Sequence, residues 1–149
     1  MSGLDHVRSE GAAPLQFRVL GPDSPGPAPA DLRRLFRGQR LSAGRRSRFD
    51  QTGRVVALCG HRVVGLAAYE RTDRELRVTE VGLDHESGCG LEPIVGGLLD
   101  ALELACLASG ARRLILLPRA ATAGDVLARR GYASIAEGAA GSWFQKTFA

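Results

Sequence analysis

Three β-strands joined by short turns dominate the middle of the chain and restrict the folds open to it. Residues 54–59 and 62–69 are rich in β-branched and small apolar side chains, and Gly60 and His61 between them match a tight hairpin connection. A glycine that opens such a connection supplies the positive φ of a type II′ turn. A third segment, 75–83, follows after a short polar turn, so the sequence predicts an antiparallel meander.

A long amphipathic helix is predicted directly after the meander. Apolar residues recur at helical spacing from Leu91 to Cys106, and Gly110 is typical of a helix end. Pro93 lacks an N–H group, so it fits only in the first turn of this helix. The polar segment 84–90 is therefore a loop that leads into the helix N-terminus.

Shorter elements are predicted on both sides of this central unit. Those before it are a strand at 15–20, a short helix that Asp31 N-caps, and a second short helix after Ser42. Those after it are a strand at 113–117, a helix at 123–130, and strands at 132–136 and 142–148. The chain therefore contains seven predicted strands and four predicted helices.

Length and composition fit one globular domain. The chain has 149 residues, of which 44% are hydrophobic and 24% charged, as in an ordinary globular protein. Residues 1–14 show no periodicity and are interpreted as a flexible N-terminal tail, which leaves 15–149 as the domain. No apolar run approaches the ~18 residues of a membrane span, and the N-terminus has no signal-peptide stretch, so we expect a cytoplasmic protein without a membrane partner.

The three cysteines predict neither a disulfide framework nor a metal site. Cys59, Cys89 and Cys106 are odd in number and form no CxxC pair. A metal site built from Cys59, Cys89, His61, His85 and Asp84 matches no known ligand spacing. Nothing orients His85 for a nucleophilic pair with Cys89. We therefore interpret the cysteines as reduced thiols and predict no metal.

Several local strings, together with the order of elements over residues 15–148, are similar to one known family. The strings are Leu98-Leu99-Asp100-Ala101-Leu102 with Gly110-Ala111-Arg112-Arg113-Leu114, Ala128-Arg129-Arg130-Gly131-Tyr132, and Ser142-Trp143-Phe144-Gln145-Lys146. The pattern resembles the GNAT family of acyl-CoA-dependent N-acetyltransferases. The resemblance implies an α/β (α+β) fold, with a mixed, mostly antiparallel sheet of about seven strands flanked by about four helices.

The resemblance also implies acetyl-CoA as co-substrate, with its pyrophosphate on backbone N–H groups at the N-terminus of the long helix. Two registers of the family's glycine-rich motif compete. Matching glycines places it at 85–90, whereas matching the helix without gaps places it at 90–95, where Pro93 lacks a donor and Glu92 adds negative charge. The expected cofactor-binding residues are Leu83, whose backbone would pair with the pantetheine, and His85, Gly88, Gly90, Leu91 and Val95. In the alternative interpretation, the two loop glycines only shape a turn.

Glu80 is the candidate catalytic residue, because the resemblance implies a general-base glutamate on the fourth strand. Strand alternation predicts that its side chain shares a face with Val78 and Gly82. A carboxylate among aliphatic residues suits a general base. In the alternative interpretation, Glu80 forms an ion pair with an arginine of a neighbouring strand, such as Arg62 or Arg77.

No general acid is predicted. Leu127 stands where the family has a tyrosine acid, and Tyr132 matches a buried aromatic position, so we expect Tyr132 to pack in the core.

A basic cluster precedes the meander. It consists of Arg33, Arg34, Arg37, Arg40, Arg45, Arg46 and Arg48. A solvated helix face is the favoured interpretation, ahead of attraction for an acidic substrate or the 3′-phosphate of CoA. Nucleic acid is disfavoured as a partner, because no recognition motif accompanies the arginines.

The sequence thus predicts an acetyl-CoA-dependent N-acetyltransferase that acts on a primary amine of a small molecule or a protein. The alternative is a catalytically degenerate GNAT-like domain that serves as an acyl-CoA sensor or an interaction module. The last strand is expected to be exposed, with an edge that can pair across a homodimer.

Overall fold

Seven strands and three helices make up the described part of the chain. The computed structural model describes residues 14–21, 24, 26–36, 53–118, 120, 124–138 and 141–148. The strands are β1 (Leu15–Leu20), β2 (Gly53–Cys59), β3 (Arg62–Arg71), β4 (Glu75–Leu83), β5 (Arg113–Leu116), β6 (Ala133–Gly138) and β7 (Gly141–Thr147). The helices are α1 (Pro29–Leu35), α2 (Leu91–Ala108) and α3 (Gly124–Arg129). The helix predicted after Ser42, most of the basic cluster and nearly all of the predicted N-terminal tail lie outside the described residues.

All seven strands belong to one mixed sheet in the order β1-β2-β3-β4-β5-β7-β6. Only β4 and β5 pair in parallel, because α2 carries the chain back across the sheet between them. The prediction of a mostly antiparallel sheet is therefore confirmed. The prediction of an exposed last strand is wrong: β7 pairs with β5 on one side and with β6 on the other, so β1 and β6 form the edges.

The hairpin between β2 and β3 has the predicted turn. Cys59 pairs with Arg62, which leaves Gly60 and His61 as the connection. A type II′ turn requires a positive φ at the first of its two central residues only. Gly60, the first, has a φ of 65°, and the φ of His61 is not positive. The hairpin and β4 together give the predicted antiparallel meander.

The first helix begins three residues earlier than predicted. Its N-cap is Ala28, and Asp31 lies inside the first turn instead of at the cap. Pro29 explains the difference, because its fixed φ and missing N–H group suit the first helical position. Asp31 instead accepts a hydrogen bond from Arg34 Nη1 at 2.8 Å.

Each face of the sheet is covered by a different helix. α2 packs on one face with the larger core cluster, which includes Val81, Leu98 and Leu102. α1 packs on the other face, where Phe36 joins Val56 and other buried residues in a smaller cluster. The two helices therefore cover opposite faces of the central strands.

Candidate functional site

β4 and β5 part at the middle of the sheet. Val78 and Leu116 form the last pair of their ladder, and the N–H of Leu117 donates to the carbonyl oxygen of Val78 at 3.0 Å. β4 then continues to Leu83 beyond the end of the ladder. Among the strands that the structure describes, β4 therefore has no ladder partner on its β5 side from Thr79 onward.

An apolar pocket lies on the α2 side of this gap. Its cavity volume is about 10 Å³, which is room for about one water molecule. Its lining residues are Val81, Val95, Leu98, Leu99, Leu102, Leu116, Ala120 and Leu127. None of these side chains can donate a proton, so the position of Leu127 supplies no general acid there. Tyr132 is buried, as predicted, and donates to Glu103 Oε2 at 2.8 Å.

A β-bulge in β4 sets the direction of Glu80. Tyr69 pairs with Val78 but Ala68 pairs with Glu80, so Thr79 is an extra residue in the ladder. The expectation that Glu80 shares a face with Val78 is therefore wrong, because the bulge reverses the alternation. Glu80 keeps the predicted face of Gly82.

Glu80 lies on the face covered by α1, opposite the pocket. Ala68, which pairs with Glu80, is in register with Arg54 of β2. Two residues further along β4, on the same face, Gly82 pairs with Leu66. A Cβ added at Gly82 would lie 2.8 Å from the Phe36 ring, so α1 closely approaches β4 beside Glu80. The side chain of Glu80 is fully buried.

The two arginines proposed as alternative partners of Glu80 contact other carboxylates. Arg62 Nη2 lies 2.9 Å from Asp84 Oδ2, and Arg77 Nη2 lies 2.7 Å from Glu75 Oε1.

Asp84 anchors the loop that follows β4. Its carboxylate accepts hydrogen bonds from Arg34 of α1 at 3.2 Å and from Arg62 of β3 at 3.1 Å, and from the N–H of Glu86 at 3.0 Å. Burial raises the pKa of Asp84, but the Glu86 N–H and the Arg62 and Arg34 guanidinium groups outweigh it and hold the pKa below its usual range. Sequence reasoning missed this network, because it joins residues up to 50 positions apart.

The loop itself turns several backbone N–H groups inward. The Ser87 N–H donates to the carbonyl oxygen of Asp84 at 3.3 Å, and the Cys89 N–H donates to Ser87 Oγ at 3.2 Å. Gly88 and Gly90 have φ values of 81° and 82°, which other residues rarely adopt. Both glycines therefore shape the loop, whether or not they also contact a ligand.

The N-terminus of α2 offers backbone donors to an anion. Gly90 is the N-cap, and within the described residues no side chain caps this end. The N–H groups of Gly90, Leu91 and Glu92 have no acceptor within the helix, whereas Pro93 has no N–H group. Glu92 Oε1 lies 3.4 Å from Arg129 Nη2 at the end of α3, which offsets its negative charge.

The predicted cofactor-binding residues fall into two groups. Leu83 and Val95 are buried, and Val95 lines the pocket. The others are exposed: His85, Gly88 and Gly90 lie in the loop before α2, and Leu91, the first residue of α2, is 40% exposed.

Cys89 lies next to another cysteine. Its Sγ is 2.9 Å from Cys59 Sγ at the end of β2. In the described part of the chain, no three His, Cys, Asp or Glu side chains converge as metal ligands. Among the described helices, none combines the length and the hydropathy of a membrane-spanning segment.

No protein-family model matches the sequence, and no curated protein is significantly similar to it. Solved structures are similar in fold. The N-acetylglutamate synthase of Neisseria gonorrhoeae, solved with coenzyme A and N-acetyl-glutamate, has a TM-score of 0.71 at 13% identity, over 92% of this chain and 36% of the synthase. This chain thus spans about a third of the length of that enzyme.

Two shorter proteins are covered almost completely. The PaiA N-acetyltransferase of Thermoplasma acidophilum, in complex with coenzyme A, has a TM-score of 0.65 at 13% identity, over 91% of this chain and 99% of that protein. A GNAT family acetyltransferase of Elizabethkingia anophelis with acetyl-CoA bound has a TM-score of 0.65 at 10% identity, over 90% of this chain and 98% of that protein. At these identities the likeness establishes the fold.

Proposed function

We propose that this chain, which has the fold of the GNAT acetyltransferases, transfers an acetyl group from acetyl-CoA to a primary amine. The observation that carries the proposal is the parting of β4 and β5 after Val78 and Leu116, with different chemistry on its two faces. The apolar pocket and the α2 N-terminus lie on one face, and Glu80 lies on the other. Donor and acceptor can therefore approach the same stretch of β4 from opposite sides.

The residues around the gap fit the parts of acetyl-CoA. The backbone near Leu83 suits pairing with the extended pantetheine arm, and Val95 supplies apolar contact in the pocket. The N–H groups of Gly90, Leu91 and Glu92 suit the pyrophosphate, since helix N-termini attract anions. The thioester supplies the activated acetyl group.

Glu80 is proposed as the general base. An amine attacks a thioester only as the free amine, so a group near the acceptor must take up a proton. A buried carboxylate on the part of β4 that β5 does not pair with suits this role, either directly or through a water molecule. A thiolate is a good leaving group that water can protonate, so the aliphatic Leu127 does not prevent turnover.

The second candidate function is an acyl-CoA-binding module without catalysis. Pro93 in the first turn of α2 favours it, because it removes one of the donors available to phosphate. The lack of a proton donor among the pocket residues favours it as well.

Calorimetric titration with acetyl-CoA and turnover on a panel of amines test the two functions. We expect saturable binding, and in Glu80→Gln a fall in kcat of about 100-fold or more with an unchanged Kd for acetyl-CoA. Glu75→Gln is the matched control, since Glu75 is also a buried glutamate of β4 but contacts Arg77 and Arg113. Its kcat should stay near that of the wild type.

Each other result has a definite meaning. Binding without turnover on any amine supports the binding module. No binding at millimolar acetyl-CoA overturns both functions, and equal kcat for the wild type and Glu80→Gln removes Glu80 from the mechanism.

A further inference from the structure

Two cysteines that are 30 positions apart meet at the end of the sheet next to the loop 84–90. Cys59 is the last residue of β2, and Cys89 directly precedes Gly90, the N-cap of α2. Their sulfur atoms are 2.9 Å apart, compared with about 2.05 Å in a covalent S–S bond. Both residues are half-buried.

The register of the sheet explains this meeting. β2 and β4 both run antiparallel to β3, so their C-terminal ends lie at the same end of the sheet. Cys59 ends one of these strands, and the loop that carries Cys89 follows the other. The backbone of Cys89 is held in place by its N–H bond to Ser87 Oγ.

We propose that Cys59 and Cys89 form a redox-active dithiol, which closes to a disulfide that ties the loop 84–90 to the end of β2. The oxidant is a low-molecular-weight disulfide. A thiolate of the pair attacks it and forms a mixed disulfide, and the other cysteine then displaces the second small thiol. The two cysteines lose two protons and two electrons, and the oxidant leaves as two thiols.

The third cysteine serves as an internal reference. Cys106 is fully buried in the core, and its Sγ lies 3.6 Å from the carbonyl oxygens of Ala111 and Arg113. Burial, and then the charge of Glu103, raises the pKa of this thiol. Cys106 is therefore expected to stay reduced under conditions that oxidise the pair.

The disulfide has a consequence for ligand binding that rests on the proposed function. It fixes the position of Cys89, which directly precedes Gly90, the first of the N–H donors proposed for the pyrophosphate. Oxidation should therefore weaken acetyl-CoA binding, and bound acetyl-CoA should by linkage oppose oxidation.

Intact-mass measurement of the full chain after treatment with oxidised glutathione tests the dithiol. We expect the loss of two hydrogens, a fall from three titratable thiols to one, and a peptide in which Cys59 is joined to Cys89. Cys106→Ser should form the same bond, whereas Cys89→Ser should not. Lasting glutathione adducts, covalent dimers or three unreacted thiols would overturn the proposal.

Acetyl-CoA titration of the reduced and oxidised protein tests the coupling. We expect the Kd to rise at least about five-fold on oxidation and to recover after reduction. Equal affinities in the two states overturn the coupling. If neither state binds acetyl-CoA, the proposed function fails, and the coupling with it, while the mass measurement still decides on the disulfide.

Discussion

Leu116 lies opposite Val78 in the last pair of the β4–β5 ladder, and the candidate site begins where this pairing stops. On the α2 side, Leu127 of α3 reaches the gap and helps to line the pocket. On the α1 side, Gly82 lets Phe36 pack against β4 beside Glu80. The residues that stabilise this part of the fold therefore also shape the candidate site.

Leu127→Ala should lower the free energy of unfolding by about 2–5 kcal/mol, because it enlarges a pocket whose walls cannot collapse fully. Leu104→Ala removes the same atoms from a side chain of α2 that is 68% exposed, and should change stability by less than about 0.5 kcal/mol. Urea denaturation of both variants measures the difference. Similar losses would show that Leu127 is not part of a packed wall.

Asp84→Asn should destabilise the protein by about 1–3 kcal/mol at pH 7, because it removes the negative charge between Arg34 and Arg62. This loss of stability is smaller than the loss expected on breaking a fully buried ion pair, because the Arg62 side chain is more than half exposed and solvent screens its charge. Urea denaturation should show little effect of Asp73→Asn, which alters an exposed aspartate.

The effect of Asp84→Asn should also depend on pH. The folded pKa of Asp84 is lowered, so its contribution to stability is present above the unfolded pKa of about 3.9 and is lost as the pH falls through the folded pKa. The gap between wild type and variant should therefore narrow below about pH 4. A gap that stays constant down to pH 2 would contradict the role of the charge.

Gly82→Ala should cost about 1–3 kcal/mol, because the new methyl group would overlap the ring of Phe36. Gly21→Ala places a methyl group in open space and serves as the control. A Phe36→Leu change should relieve part of the loss, so thermal unfolding of the double variant should show less than the sum of the single effects. Strict additivity would show that the two residues are not in contact.

Tyr132→Phe should lose about 0.5–1.5 kcal/mol at pH 7, since it removes the hydrogen bond to Glu103. Burial, and then the bond to Glu103, raises the pKa of Tyr132 well above its usual range. The contribution of this tyrosine is thus fully present below an unfolded pKa of about 10 and declines as the pH rises further.

Alkaline denaturation checks this pH dependence. The stability difference between the wild type and Tyr132→Phe should shrink above about pH 10. Absorbance of the tyrosinate form in Tyr69→Phe, in which Tyr132 is the remaining tyrosine, should rise only with unfolding. Ionisation of the folded variant near pH 10 would contradict the burial of the hydroxyl group.

Local patterns were sufficient for most of the fold. The strands of the meander, the positive φ of Gly60 and the place of Pro93 in the first turn of α2 all follow from short-range preferences that tertiary contacts did not override. The N-cap of α1 was mispredicted because Pro29 competes with Asp31 for the start of the helix. Strand order is not local, and β7 was therefore misjudged as an exposed strand.

The geometry of the candidate site could be predicted only in part from the sequence. Glu80 was found from its position on the fourth strand, but alternation alone placed it with Val78. One extra residue in the ladder, Thr79, reverses the face, and no sequence preference marks that bulge. The proximity of Cys59 and Cys89 could have been predicted from the meander topology. Cys59 ends β2, Cys89 lies in the loop after β4, and these two strands run in the same direction.

By itself, the sequence determined which segments form strands and helices and where the loop 84–90 stands before α2, because these depend on the periodicity and backbone preferences of neighbouring residues. The tertiary structure alone decided that the ladder of β4 and β5 ends at Val78, and that Asp84 lies between Arg34 and Arg62. Those relationships depend on register between distant segments, which the packing of the two helices on the sheet selects as a whole.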